Sequence, residues 1–461
     1  MSEAAAPPAP VSAIAELEPQ AGPTTSQPSG PPSTPNDPWL WCLAIPALFG
    51  ALASIRLTVP AFEFFDETHY IPAAREWLTL ITGGAGQYIN SEHPPLAKQL
   101  MALGIYLFGD NPVGWRAFPL FAGIVTIGAS MRALWNASQD RFATIAFGVL
   151  LATGFHVFIH ARIAMLDIYM MVFLSLAAWF FAAAIRKPET GRWRLALCGV
   201  FIGAAMASKW AAIPLAMLPG LAFFGARLSA GRRRLITSTR GVPVPGISLA
   251  EAFVWLGLLP LAVYALAFWP GAWLGDELRP SPVAERGLFG THMLMLELQT
   301  QVLAPHNYQS TWPQWVMNTN GIWYFYAFTD GAQRGVLYVG NPLTMLLGLP
   351  ALLWCLISGA MQRDWAKVAM VIGYAVSLAL WIIAPKPVQF YYHYIMPSFF
   401  LLAALAMALS DIYRIERLRV LSVLPIIASA AMFAYFFPVL TAGALEGEYG
   451  FVDWAWLPGW R

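Results

Sequence analysis

Residues 391–440 read YYHYIMPSFFLLAALAMALSDIYRIERLRVLSVLPIIASAAMFAYFFPVL. Two apolar runs, 391–410 and 418–440, flank a junction that carries Asp411, Arg414, Glu416, Arg417 and Arg419. A helix needs about 20 apolar residues to cross a bilayer, whereas a barrel strand needs about ten and alternates in polarity. The same unit of apolar run and charged break recurs upstream. Further candidate spans fall at 38–58, 116–135, 142–158, 163–185, 194–208, 210–226, 250–269, 342–360 and 367–384, about eleven in all.

The composition agrees with that reading. Of 461 residues, 58% are apolar and only 11% are charged, with a mean hydropathy of +0.57. A soluble domain carries about 25% charged residues. Lipid is therefore the solvent, and lipid admits only helices or closed barrels as spanning structures. The formal charge of +2 lacks the basic field of a nucleic-acid binder. Cys42, Cys198 and Cys355 each lie inside an apolar run without CxxC spacing, as small packing residues do, so no metal or disulfide framework is expected. Residues 1–37, rich in Pro, Ala, Ser and Gly and without a basic-then-apolar leader, read as a disordered cytoplasmic tail.

Basic residues in the short loops orient the remainder, 38–440. One side receives Arg132, Arg141, Arg186, Lys187, Arg192, Arg194, the 227–240 cluster, Arg363, Lys367, Arg414, Arg417 and Arg419. The other side's short loops hold little beyond Arg162, Lys209 and Lys386. The basic side faces the cytoplasm. Two long loops, 59–115 and 270–341, and the tail 441–461 then face outward. Apolar residues at helical spacing over 68–81, 95–108 and 283–304 predict amphipathic helices lying at the membrane surface.

The polar residues with chemical potential cluster in or beside those loops. In FFDETHY, 64–70, Asp66, Glu67 and His69 follow two phenylalanines. A carboxylate partly buried at a membrane surface can serve as a general base; it can equally be the N-cap of the next helix. In SEHPPLAK, 91–98, the prolines fix His93 at a helix start, with Lys98 one turn on and Ser91 and Glu92 before it. Arg116, Arg162, Lys209, Arg334 and Lys386 are candidate phosphate partners or interfacial anchors. Asp167 is expected to pair with Arg162 or another cation, because a carboxylate near the start of a span rarely stays unpaired. Trp312 and Trp315, after His306, are candidate platforms for a sugar ring. Tyr392 and His393 are candidate hydrogen-bond partners for a headgroup, or satisfied polar groups in the bundle.

The motifs occur in a fixed order: FDETHY (65–70), EHPPLAK (92–98), WRAFP (115–119), ARIAMLD (161–167), ASKWAAIP (207–214), HNYQSTWPQW (306–315), GNPL (340–343) and FYYHYIMP (390–397). This series resembles the protein O-mannosyltransferase family of GT-C glycosyltransferases. The resemblance implies an all-α polytopic GT-C bundle and an inverting transfer of a mannose-like sugar from a polyprenyl-phosphate carrier. No metal or other cofactor is required in that family. By resemblance, Asp66 is the base, Glu67 holds the donor or orders the loop, and a family arginine near the aromatic-histidine pair is replaced by Lys386. The second outward loop is too short for the β-trefoil of eukaryotic members, which implies a bacterial inner-membrane protein with a periplasmic site. Protein-modifying members place an aspartate two residues before the HPP histidine; Ser91 stands there, with Glu92 adjacent. That departure counts against a protein acceptor; a protein hydroxyl is still the expected acceptor, with a lipid or glycan as alternative, as in the related lipid A aminoarabinose transferases. A transporter or a purely structural subunit belongs to other classes. Against a transporter, no internal repeat is visible and the polar residues lie outside the spans.

Overall fold

A computed structural model describes residues 36–230, 234–275, 280–384 and 386–461. The expected tail, 1–37, lies almost wholly outside the described residues, as do Arg232 and Arg233 of the basic cluster. Asp37–Arg461 packs as one unit.

Among the described residues, eight helical stretches are long and apolar enough to cross a membrane: Pro112–Ser138, Leu166–Arg186, Trp210–Ser229, Leu249–Trp273, Pro342–Gln362, Trp365–Ile383, Tyr391–Tyr413 and Glu416–Leu440. Each coincides with an expected span. The other three expected spans are helices Trp39–Ser54, Arg141–Ala152 and Gly191–Ser208. The run at 142–158 does not continue as one helix. Phe155 takes a left-handed φ of 72°, and the short helix His156–His160 restarts beyond it.

Local chemistry sets the helix ends. Asn111 accepts from the Val113 and Gly114 amides ahead of Pro112, and Asp140 accepts from the Ala143 amide at 2.8 Å. Asn341 caps Pro342–Gln362 through the Leu343 amide, and Asp364 caps Trp365–Ile383 through two amides. Each side chain satisfies amides that a helix start leaves open. The membrane stretch Tyr391–Tyr413 is 83% buried within the protein, against 22% for Leu249–Trp273 and Glu416–Leu440. Tyr391–Tyr413 is thus the central element, and the other two lie at the periphery of the bundle.

Both helices expected in the first loop form, as Glu67–Ile81 and Leu96–Phe108; in the second, Pro282–Thr300 is helical on either side of a break at Gly287, whose φ is 65°. The two loops meet: the Gly275 amide donates to the Gly86 carbonyl at 2.6 Å, and Gln299 Nε2 donates to the Glu92 carbonyl at 2.8 Å.

The aromatic stretch holds something the helical reading did not anticipate. β1 (Ile322–Thr329) and β2 (Ala332–Tyr338) form an antiparallel hairpin, and β3 (Ala444–Leu445) adds to β2. Asp330 and Gly331 turn the hairpin with φ of 50° and 74°, as a two-residue turn with both central residues left-handed requires. The segment after β3 wedges against the sheet. Trp323 Nε1 donates to the Trp460 carbonyl at 2.8 Å, and Trp460 Nε1 to the Asn318 carbonyl at 2.9 Å.

Candidate active site

Asp66 and Glu67 adjoin in sequence but have opposite environments. Glu67 is fully buried. Its carboxylate receives Arg116 Nε at 2.9 Å and Nη2 at 2.8 Å, the Ala164 amide at 3.0 Å and the Phe64 amide at 3.3 Å. A carboxylate with four donors has no capacity left for a substrate, so Glu67 orders the loop. Asp66 is half-buried at the start of helix Glu67–Ile81, with helical φ of −70° and ψ of −10° and no side-chain cap bond. No described group donates to its carboxylate. The N-cap alternative therefore does not describe Asp66, because its own helical backbone keeps the carboxylate from folding back onto the first amides.

Four charged groups act on Asp66: Lys209, Asp167, His69 and Lys386. Burial pushes its carboxyl up to about 6, the Lys209 ammonium pulls the other way, and Asp167 adds to the rise. Lys209 Nζ bonds both oxygens of Asp167, at 2.9 and 2.7 Å, and lies 5.2 Å from the Tyr392 ring centroid. Asp167 thus pairs with Lys209, and not with Arg162. Lys386 has no ion-pair or hydrogen-bond partner for its ammonium among the described residues. Burial, then Lys209, lowers Lys386 to about 8 against the pull of Asp167, Asp66 and Glu92. His93 is held well below the ordinary histidine range by burial and by Lys209, Lys386 and Lys98, so its ring is neutral. The result is a carboxylate lacking hydrogen-bond donors beside two lysines, one of them unpaired.

Other candidate residues lie elsewhere or face inward. Arg116 donates from Nη1 to the Leu57 and Pro60 carbonyls and from Nη2 to the Phe62 carbonyl, besides Glu67. All five of its N–H groups are occupied, so no donor is left for a phosphate. Arg162 binds the carbonyls of Ala53, Ile55 and Arg56 at the end of Trp39–Ser54. Arg334 straps the hairpin to the Thr329, Asp330 and Ala442 carbonyls. Lys98 is buried and donates to the Asn90 and His93 carbonyls at 2.5 and 3.0 Å, fixing that loop instead of sharing a cavity with His93. These cations satisfy orphan carbonyls, which no residue pattern reveals.

Trp315 is fully buried, bonds Ser310 Oγ at 2.9 Å and packs on Trp381 and His393, so it presents no face to a sugar; Trp312 is 38% exposed. His306 is exposed, accepts from the Tyr308 amide of its own loop and meets the Phe390 ring of another. His393 Nδ1 accepts from the Phe390 amide at 3.1 Å, which leaves the proton on Nε2, a buried atom without a partner. Tyr392 is buried beside Lys209. His69 is exposed, close enough to Asp66 to favour its charge. Ser91 and Glu92 sit half-buried in the loop facing Pro282–Thr300, Glu92 accepting from Asn90 Nδ2 at 2.6 Å.

Sequence reasoning missed Tyr324 on β1. Its ring stacks on Phe65 at 3.9 Å and 14°. Asp-Gly between an aromatic run and a second apolar run signals a hairpin, and would have placed Tyr324 on a strand.

A bundle of membrane-length helices, with an aspartate and two lysines in electrostatic reach of one another in its loops, matches the architecture expected of the GT-C fold. The structure aligns with the protein O-mannosyltransferase Pmt1-Pmt2 complex of S. cerevisiae bound to the sugar donor, at TM-score 0.73, 14% identity and 92% coverage of both chains. It also aligns with ArnT from Cupriavidus metallidurans bound to undecaprenyl phosphate, at TM-score 0.55 and 16% identity, covering 90% of this chain and 77% of that one. Residues 92–255 match the family described as dolichyl-phosphate-mannose-protein mannosyltransferase. A polyprenol-phosphate-mannose–protein mannosyltransferase of Corynebacterium glutamicum is 27% identical over 94% of this chain and 96% of its own length. One from Mycolicibacterium smegmatis is 26% identical over 95% and 96%. Over nearly its whole length the chain is thus similar to protein O-mannosyltransferases.

Proposed function

We propose that the protein transfers mannose from a polyprenyl-phosphate carrier to a serine or threonine hydroxyl of a protein, with inversion at the sugar carbon. The observation that carries the reading is the Asp66 carboxylate, which accepts no hydrogen bond from a described residue and feels the charges of Lys209 and Lys386. Asp66 takes the proton of the acceptor hydroxyl as its oxygen attacks the anomeric carbon. The bond from that carbon to the phosphate oxygen breaks, and the polyprenyl phosphate departs with the electron pair. Lys386, whose ammonium is unpaired, and Lys209 balance the charge on the leaving phosphate. Tyr392 lies beside Lys209, and the Nε2 proton of His393 is a buried donor on the same turn without a partner among the described residues. Ser91 and Glu92, where the two loops meet, are the acceptor-side residues.

The loops 59–115 and 270–341 and the tail 441–461 face away from the cytoplasm in this reading. That supports a site on the periplasmic face of a bacterial inner membrane. The basic residues of the opposite loops favour that orientation. No described cluster of three His, Cys, Asp or Glu side chains is arranged for a metal.

The test is direct. Purified protein and Asp66→Asn are incubated with radiolabelled polyprenyl-phosphate mannose and a membrane extract, and label is followed into protein, glycolipid and free sugar. Label in protein with wild type, absent with Asp66→Asn, supports the reading. Label in glycolipid replaces the protein acceptor with a lipid. Equal transfer by both proteins removes Asp66 as base.

A further inference from the structure

Phe65 adopts φ of +52°. For an L-residue other than glycine this region costs roughly 1–2 kcal/mol, because Cβ crowds the neighbouring carbonyl. Asparagine and aspartate recover part of that cost through local hydrogen bonds; phenylalanine does not. Some external contact must hold it there.

The contact is visible. The Phe65 ring stacks on Tyr324 of β1 at 3.9 Å and 14°, and meets Tyr392 edge-on at 6.0 Å. Tyr324 is buried, and its ring also stacks on Tyr338 of β2 at 5.0 Å and 5°. Two histidines of His156–His160 brace the column. His160 Nδ1 donates to the His156 carbonyl at 3.0 Å, which leaves Nε2 to accept from the Tyr324 hydroxyl at 3.4 Å. The Tyr338 hydroxyl meets His156 Nδ1 at 2.8 Å. One residue beyond Asp66, Glu67 is locked by Arg116 and the Ala164 amide. Asp66 is thus gripped through both sequence neighbours while its own side chain touches no donor.

That arrangement excludes a competing one. An aspartate at a helix start normally adopts extended backbone and accepts from the second or third amide. If Phe65 relaxed to a negative φ, Asp66 could swing into that capping position, where helix amides would neutralise its basicity.

We propose that Tyr324 is a positioning residue for the transfer: its ring holds Phe65 left-handed, and so keeps the Asp66 carboxylate from capping its own helix. This deepens the reading of Asp66 as base and rests on it. The ring carries the role, and the 3.4 Å hydroxyl contact is secondary. Small displacements of a reacting group can cost about a hundredfold in rate.

Tyr324→Phe and Tyr324→Leu are compared with wild type and Asp66→Asn in detergent. Folding of each is first checked by size exclusion and thermal melting. Two readouts follow: kcat and donor KM for mannose transfer, and the pH midpoint of carbodiimide labelling at Asp66, mapped by mass spectrometry. Tyr324→Leu is expected to lower kcat at least about tenfold with donor KM within about twofold. Its labelling midpoint moves down toward the ordinary carboxylate range, as a carboxylate accepting helix amides must. Tyr324→Phe retains wild-type values in both. An unchanged Asp66 midpoint in Tyr324→Leu overturns the proposal, even where kcat falls, since the loss is then general damage. Equal damage from Phe and Leu also overturns it. Full transfer by Asp66→Asn instead overturns the base assignment and the catalytic meaning of the proposal together; an unchanged midpoint beside an inactive Asp66→Asn overturns the proposal alone.

Discussion

Glu67 and Arg116 form a sealed ion pair: both side chains are fully buried, and two parallel N–H bonds of 2.9 and 2.8 Å join them. The remaining guanidinium protons go to the Leu57, Pro60 and Phe62 carbonyls, so one arginine closes the entire turn before the base. Breaking such a pair by removing one partner leaves an uncompensated charge. Arg116→Ala should lose about 3–5 kcal/mol of stability, read as a lowered melting temperature and a larger aggregated fraction in detergent. Glu67→Gln should cost less, because the amide oxygen still accepts from Ala164. A stable Arg116→Ala that fails only in donor binding would make Arg116 a phosphate ligand.

Transfer should depend on pH through Asp66. The carboxyl titrates at about 6, and a base works only when ionised. Raised above its ordinary value, the group gains protons as pH falls through about 6. Below that the rate should drop about tenfold per pH unit; above it the rate should level off until about pH 8, where Lys386 begins to lose its charge. His93, already neutral, adds no step near neutrality. A kcat profile flat down to about pH 4.5 would contradict the assignment.

Lys386 and Lys209 should separate by phenotype. Lys386 is unpaired, so Lys386→Ala should leave the melting temperature unchanged while raising donor KM about tenfold or more, as loss of a charge-assisted contact does. Lys386→Arg should recover much of that affinity. Lys209→Ala strips the partner from buried Asp167 and should destabilise the protein by about 3 kcal/mol or more as well. Donor KM and melting curves on the same preparations decide it.

The two tryptophans should also part. Trp315→Ala empties a fully buried site and should cost about 3–5 kcal/mol. Trp312→Ala, at a partly exposed position, should leave stability unchanged; a rise in acceptor KM would mark it as a contact for the acceptor or its sugar. Thermal melts with acceptor titrations measure both.

The helices were legible because lipid forces apolar runs of near-constant length, and all eleven expected spans are helical. The hairpin was not, because IWYFYAFT is uniformly aromatic and apolar, and such a run also fits an interfacial anchor; only Asp330-Gly331 distinguished it. At the site, the Asp-Glu pair was visible, yet its division of labour depends on Arg116 and Ala164, 49 and 97 residues away from Glu67. The same limit applied to Arg162 and Arg334. Their charge suggested phosphate, whereas carbonyl groups at helix and strand ends claimed them, and those partners are set by tertiary packing. Lys386 and Lys209 stood out only once the competing cations had been accounted for.

The sheet has a consequence for the order of synthesis. Asp66 emerges from the ribosome early, but Tyr324, against which its neighbour rests, comes more than 250 positions later, and β3 and Trp460 later still. Contacts so distant in sequence form late. A nascent chain that has threaded its first spans therefore carries the reactive carboxylate without the brace that aims it. Catalytic competence should switch on only when the last span is in place and the residues beyond it have reached the sheet.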